Sequence, residues 1–279
     1  MFGAGGFNTI SIAGAVTNTG IFKLLGPADT ANIANSLTNS GTVEVDGHIS
    51  TLNIWGDVVN SGNILTTVSG TGDNIINISG TLTNEMGANF VLNGGLDKAH
   101  LGGGLINMGF INALNGSKID PPFLNNLGLV DISSLSTLVV GTGSPIGTGY
   151  IQLANGTLGE MISPTTYGVI NVNGSALLAG TLDILLQMGV NPLIGTTDYF
   201  LNFTPGDLSG MFTNVENDIF NGGTEQWCIV YDNPDGHVYL QAEAPGCEVP
   251  PPIPEPATIL VLVPGLLGGA YGLRRQLFQ

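Results

Sequence analysis

Over the first two thirds of the chain, short runs of alternating apolar and polar residues are cut at regular intervals by Asn and Gly. The pattern hydrophobic-x-Asn-x-Gly-x-hydrophobic occurs five times. It surrounds Asn18 and Gly20, Asn39 and Gly41, Asn60 and Gly62, Asn107 and Gly109, and Asn126 and Gly128. A weaker copy at Ile76–Leu82 keeps the apolar positions and Gly80 but replaces the Asn. Alternation of this kind predicts strands with one buried face. No 3.6-residue apolar period appears before the C-terminal tail, so this part of the chain is expected to be nearly all β.

The spacing chooses among β architectures. The glycines at 20, 41, 62 and 80 are separated by 21, 21 and 18 residues, Gly109 and Gly128 by 19, and Gly156 and Gly174 by 18. A period near 20 is too short for a propeller blade or a helical hairpin repeat. It suits one coil of a parallel β-solenoid, whose strands stack on their equivalents about 4.8 Å away. In such a coil the Gly would supply a positive φ at the corner. The Asn would tolerate left-handed backbone there and bond to its own chain, and stacked copies would form an internal amide ladder. Residues 8–180 would hold roughly eight coils, a rod of about 40 Å. Leu82–Leu105 strays from the period and reads as a coil with an inserted loop. Pro121-Pro122 marks an irregular corner, since proline cannot donate to a strand ladder.

From Thr181 the runs lengthen and aromatics gather. Thr181–Leu185, Tyr199–Phe203 and Gln226–Tyr231 read as strands, and Asp232-Asn233-Pro234-Asp235-Gly236 as a turn returning into His237–Leu240. Residues 181–243 are therefore expected to form an antiparallel β cap over the open end of the solenoid. Residues 244–253, with Pro250-Pro251-Pro252, read as a stiff Pro-rich linker.

Charge narrows the partners. Residues 1–253 carry 20 of the 21 acidic residues and, as their only Lys or Arg, Lys23, Lys98 and Lys118, so their net charge is 3 − 20 = −17. Three scattered lysines assemble no basic patch, which excludes nucleic acid as a partner, and the surface repels anionic lipid.

The tail has its own order: Pro254-Glu255-Pro256, then an uncharged apolar run over 257–273, then Arg274-Arg275. As a helix, those 17 residues would span roughly 25 Å, the lower limit for crossing a bilayer core. Basic residues after the run favour the cytoplasmic side, leaving the rest of the chain outside. The alternative is a buried apolar helix or strand. This order resembles the PEP-CTERM sorting signal of exopolysaccharide-producing Gram-negative bacteria. The resemblance implies recognition and processing by an exosortase, a membrane-embedded, cysteine transpeptidase-like enzyme, with Pro254, Glu255, Pro256, Arg274 and Arg275 as the sorting residues. A secreted precursor opens with a basic segment and an apolar segment, and Met1–Gly6 has neither. Either the start is truncated or misassigned, or another export route operates; truncation is the preferred reading. A second resemblance, to the closing segment of autotransporter-like β-helix proteins, rests on Gly180-Thr181-Leu182-Asp183-Ile184, Tyr199-Phe200, Gly210-Met211-Phe212 and Trp227-x-Ile229-x-Tyr231.

Little in the sequence points to catalysis. Cys228 and Cys247, the only cysteines, are expected to form a disulfide in an exported chain, with two free thiols as the alternative. Closing that loop would contribute roughly 3 kcal/mol. His48, His100 and His237 have no metal-ligand spacing. Asp232–Asp235 lacks the ligand pattern of a calcium loop, and Gly141-Thr142-Gly143-Ser144 lacks the Lys of a phosphate loop. Asp46 and Asp57, like Asp120 and Asp131, are 11 apart and do not stack at the repeat period. Carboxylate pairs for glycoside hydrolysis are therefore not apparent. No catalytic residue, cofactor or metal is expected. The leading expectation is an exported structural or adhesive protein of the cell surface or exopolysaccharide matrix. The alternative is a carbohydrate-binding or polysaccharide-degrading β-helix delivered by the same signal, which solvent-facing aromatics in a groove would favour.

Overall fold

The computed structural model describes residues 7–67, 72–133, 135–141, 149–163, 167–187 and 189–247. The protein is mainly β, a parallel β-solenoid whose strands are two to six residues long until the last hairpin, with almost no helix. Successive strands along the chain belong to three different sheets, and every third strand stacks on its equivalent in the turn before. The first turn consists of Thr9–Ile12, Val16–Asn18 and Ile21–Leu24. These pair in parallel with Thr30–Ile33, Leu37–Asn39 and Thr42–Val45 of the next turn.

Period-two alternation determines what fills the interior. In the first sheet, Ala31, Leu52, Ile76, Ala99, Ile119, Leu138 and Ile170 occupy one register row and are fully buried. In the third, Val43, Ile64, Phe90, Ile111, Val130, Leu158 and Leu182 do the same. Each such aliphatic side chain stabilises the fold by roughly 1.5–3 kcal/mol relative to exposure. The core is one continuous column along the rod.

The repeat Asn form the expected ladder. Asn18 Nδ2 donates to Asn39 Oδ1 at 2.7 Å, Asn39 to Asn60 at 2.8 Å, and Asn60 to Asn84 at 2.8 Å. Asn84 donates to Asn107 at 3.0 Å, Asn107 to Asn126 at 2.9 Å, and Asn126 to Gln152 Oε1 at 2.8 Å. Each amide also donates to a main-chain carbonyl one turn on, such as Asn39 Nδ2 to Asn63 O at 3.0 Å. Buried amides are thereby satisfied without water, the condition for placing them in a core at all.

Three expectations are corrected. The repeat glycines Gly20, Gly41, Gly62, Gly109 and Gly128 do not adopt positive φ. Most are glycine because the turns stack too closely for a side chain. A Cβ on Gly41 would lie 2.0 Å from Gly20 O, on Gly62 2.1 Å from Gly41 O, and on Gly128 2.1 Å from Gly109 O. Left-handed backbone sits at a different corner and is carried there by Ala28, Ile49, Leu96, Asn115 and Leu135, with φ between 58° and 78°. The stretch 82–105 is no inserted loop. It holds Asn89–Leu92 and Lys98–Leu101 in register, and the missing ladder residue is Asn84, displaced from the motif because Glu85–Ala88 lengthens its corner.

Parallel stacking also continues past residue 180. Thr181–Leu186 pairs with Thr157–Ile162, and Asn214–Glu216 pairs in turn with Thr181–Asp183. Antiparallel pairing begins where His237–Glu243 joins Thr197–Asn202 on one side and Glu225–Asp232 on the other, as the turn at 232–236 requires.

Candidate functional site

The residues singled out by their repeat are used up in stacking. Asn39, Asn60, Asn107 and Asn126 are inaccessible to solvent. Cys228 and Cys247 are joined as a disulfide, with Cα atoms 5.4 Å apart. The bond ties the end of the described chain to the hairpin strand Glu225–Asp232. Pro254, Glu255, Pro256, Arg274, Arg275, the apolar run 257–273 and most of the Pro-rich linker lie outside the described residues. Among the described residues, no helix is long and apolar enough to cross a membrane, and no three His, Cys, Asp or Glu side chains are placed to hold a metal.

On the outer face of the first sheet, one register row reads Asn32, Asn53, Asn77, His100, Asp120. Asn77 donates to Asn53 at 2.8 Å and Asn53 to Asn32 at 2.9 Å. His100 Nδ1 lies 2.7 and 2.8 Å from the two Asp120 oxygens, and Lys118 Nζ lies 3.3 Å from one of them. A shallow cleft of about 320 Å³ is lined by Asn77, Ser79, His100 and Asp120. Each residue in this row has a side-chain partner, so the row reads as a second polar ladder on the outside.

The second cleft, of about 500 Å³, differs in this respect. It lies where the last parallel turns meet the antiparallel hairpin, with Ile162, Ser163 and Tyr167 on one side and residues 189–198 on the other. Ile162, Val190, Pro192 and Leu193 give it an apolar wall, and Thr196, Thr197, Asp198, Tyr167 and Trp227 a polar one. Alternation along Thr197–Asn202 turns Asp198 inward and Tyr199 outward. Asp198 is only 2% exposed, and neither of its oxygens has a hydrogen-bond partner. Trp227 is 1% exposed, and its indole N–H is also unpaired.

Behind this wall stands Glu160. It occupies the interior row between Ile132 and Ile184, where the fold otherwise places aliphatics. It is fully buried, and neither oxygen meets a donor at bonding geometry, although the Gly168 N–H favours its charged form. Burial first, and the Asp198 carboxyl second, push its pKa well above the usual carboxylate range. Burial alone lifts Asp198 to about 7. Asp131, on the outer side of the same strand stack, is raised to about 6 by burial and by Asp183. Between these two, Gly159 presents no side chain. No cation of the described chain neutralises this group: Lys23 pairs with Glu44, Lys118 sits beside Asp120, and Lys98 lies on a remote strand.

Beside the cleft, aromatic rings face outward. Tyr199 and Tyr239 pair with ring centroids 4.7 Å apart, and His237 meets Tyr199 edge-on at 5.5 Å. Tyr167 is 37% and Tyr199 38% exposed. The Tyr167 hydroxyl is raised by burial and then by Asp198, Glu160 and Tyr199, which places it at the junction of carboxyls and rings.

No protein family, no curated protein and no solved structure matches the chain. The site therefore rests on its own geometry.

Sequence spacing misses this group because the turns that build it are irregular. Asn126 to Gln152 is 26 residues, against 21 for Asn18 to Asn39, so Asp131, Glu160 and Asp198 share no period. A usable signal was local. In Thr157–Ile162 an acid stands at the interior position of a strand, where its equivalents are Ile132 and Ile184.

Proposed function

We propose that the protein is an exported structural or adhesive component of the cell surface or exopolysaccharide matrix of a Gram-negative bacterium, sorted by a PEP-CTERM signal at 254–279. The observation that carries this reading is the order of Pro254-Glu255-Pro256, an uncharged run and Arg274-Arg275. An exosortase is the partner this order implies, and the apolar run would hold the chain in the inner membrane until processing. The Cys228–Cys247 disulfide supports the same reading, because such bonds persist in oxidising compartments. A rod held by a continuous apolar column and a buried amide ladder, with a strongly acidic composition, suits a matrix role. It presents many short strands from one narrow core and stays soluble through its net charge. In this reading the antiparallel hairpin acts as a cap, covering strand edges that would otherwise pair with other chains.

Fractionation of a host carrying an exosortase tests the proposal. The protein is expected in the surface or extracellular fraction of the wild type, and in the inner membrane of an exosortase deletion or a variant with Pro254-Glu255-Pro256 changed to alanines. Cytoplasmic protein in all three strains contradicts it.

A further inference from the structure

The cleft lined by Ile162, Ser163 and Tyr167 on one side and by residues 189–198 on the other differs in chemistry from the outer row of paired amides. Along the solenoid most buried amides and carboxylates are paired, as Asn39 is with Asn60 and Asp97 with the Gly94 and Asn74 N–H groups. Here the Asp198 carboxyl and the Trp227 indole N–H, both in the wall of the cleft, have no partner. Leaving such groups buried and unpaired is costly, a cost that a fold can recover when a ligand supplies the missing bonds. We infer that this cleft, with the Tyr167 ring in its wall, is a binding site for a neutral, hydroxyl-rich saccharide.

Three features select that ligand class. The unpaired set contains both a donor, the indole N–H, and carboxyl oxygens, and a sugar hydroxyl can both accept and donate. A bare cation would satisfy the carboxyls but not the N–H. The partly exposed Tyr167 ring offers a flat face for the C–H surface of a pyranose, with its polar edge left for hydroxyls. Charge excludes acidic sugars: Glu160, Asp198 and Asp131 lie together with no neighbouring cation, and the chain carries a formal net charge of −16. The volume of about 500 Å³ falls in the range of small-ligand clefts. This inference does not depend on export or on the tail.

The test uses the full chain carrying Trp55→Phe. Trp55 is 55% exposed and is the only other tryptophan, so emission then reports Trp227 alone. The protein is titrated with hexasaccharides of glucose, mannose and N-acetylglucosamine, with hexagalacturonate as the acidic counterpart and with calcium chloride. At least one neutral hexasaccharide is expected to change the emission saturably, and hexagalacturonate to leave it unchanged. Tyr167→Ala and Asp198→Ala are each expected to weaken that binding by about tenfold or more, one lost hydrogen bond or ring contact being worth that much. His100→Ala, in the other cleft, should leave it unchanged. Tyr167 is partly exposed, so its replacement remains informative if Asp198→Ala fails to fold. No response to any neutral hexasaccharide overturns the inference. So does a response confined to hexagalacturonate or calcium, or binding that survives both substitutions.

Discussion

Asn39 donates its side-chain amide to Asn60 Oδ1 one turn further along, at 2.8 Å, and neither side chain touches solvent. The contact sets the register of the stack. A slip of one residue would turn both amides outward and bring their neighbours Thr38 and Val59 into their place. Asn39→Ala leaves the amide of Asn18 without its acceptor and Asn60 Oδ1 without its donor. It is expected to lower stability by about 1–3 kcal/mol, against little change for Thr38→Ala on the exposed face of the same strand. Urea titration followed by far-UV circular dichroism checks this, and equal midpoints for the two variants would remove the ladder from the account.

The repeat glycines make a second, independent test. A Cβ on Gly41 would fall 2.0 Å from the Gly20 carbonyl oxygen, a backbone atom that cannot swing aside, whereas Gly14 has nothing within 4 Å. Gly41→Ala must separate two turns of the stack and is expected to destabilise by about 1–3 kcal/mol, as overpacking does. Gly14→Ala is expected to be neutral or to stabilise by a few tenths to about 1 kcal/mol through the unfolded chain. Thermal melts of the two variants beside the parent protein give the comparison.

These two residues also show how far the sequence could be read. The ladder was legible because Asn18, Asn39 and Asn60 recur at one interval and the flanking alternation fixes which face is buried. The role of the glycine was not, because a motif looks the same whether Gly is needed for its dihedral angles or for the absence of a Cβ. Only the neighbouring turn distinguishes the two. The left-handed corner was hidden for a related reason: it is occupied by Ile49, Leu96 and Leu135, residues that local rules place elsewhere. Asn84 escaped the motif because its corner is longer, and Glu160 and Asp198 because they meet across turns of unequal length. Local chemistry was thus readable in the sequence, while contacts set by stacking needed the fold.

The unpaired carboxyls predict an unusual dependence on pH. Asp198 is held up to about 7 and Asp131 up to about 6, and Glu160 well above the usual carboxylate range, all principally by burial. Between the unfolded carboxylate value near 4 and these folded values, the native protein binds more protons than the unfolded chain. Stability is therefore greatest below about pH 4 for these groups and falls as pH rises toward 7. The limiting slope is about 1.4 kcal/mol per pH unit for each group. Asp198→Asn, which cannot ionise, should flatten the part of the fall that extends up to pH 7. Denaturation midpoints that rise from pH 4 to pH 7, or a profile unchanged in Asp198→Asn, would refute the assignment. Glu160, Asp131, Asp183 and Tyr167 are the titratable neighbours whose charges share in the profile.

The account as a whole depends on export followed by removal of the tail. In the proposed reading, Pro264, Gly265, Gly268, Gly269 and Gly272 would make the apolar run a poor helix, suited to brief retention rather than permanent anchorage. The most direct measurement is mass spectrometry, under non-reducing conditions, of protein extracted from the surface of a wild-type host. It is predicted to show a chain shorter by roughly 25 residues, the length of the signal from its proline motif onward, with the Cys228 and Cys247 peptides joined. Peptides covering Leu273–Gln279 in that surface extract would contradict the account.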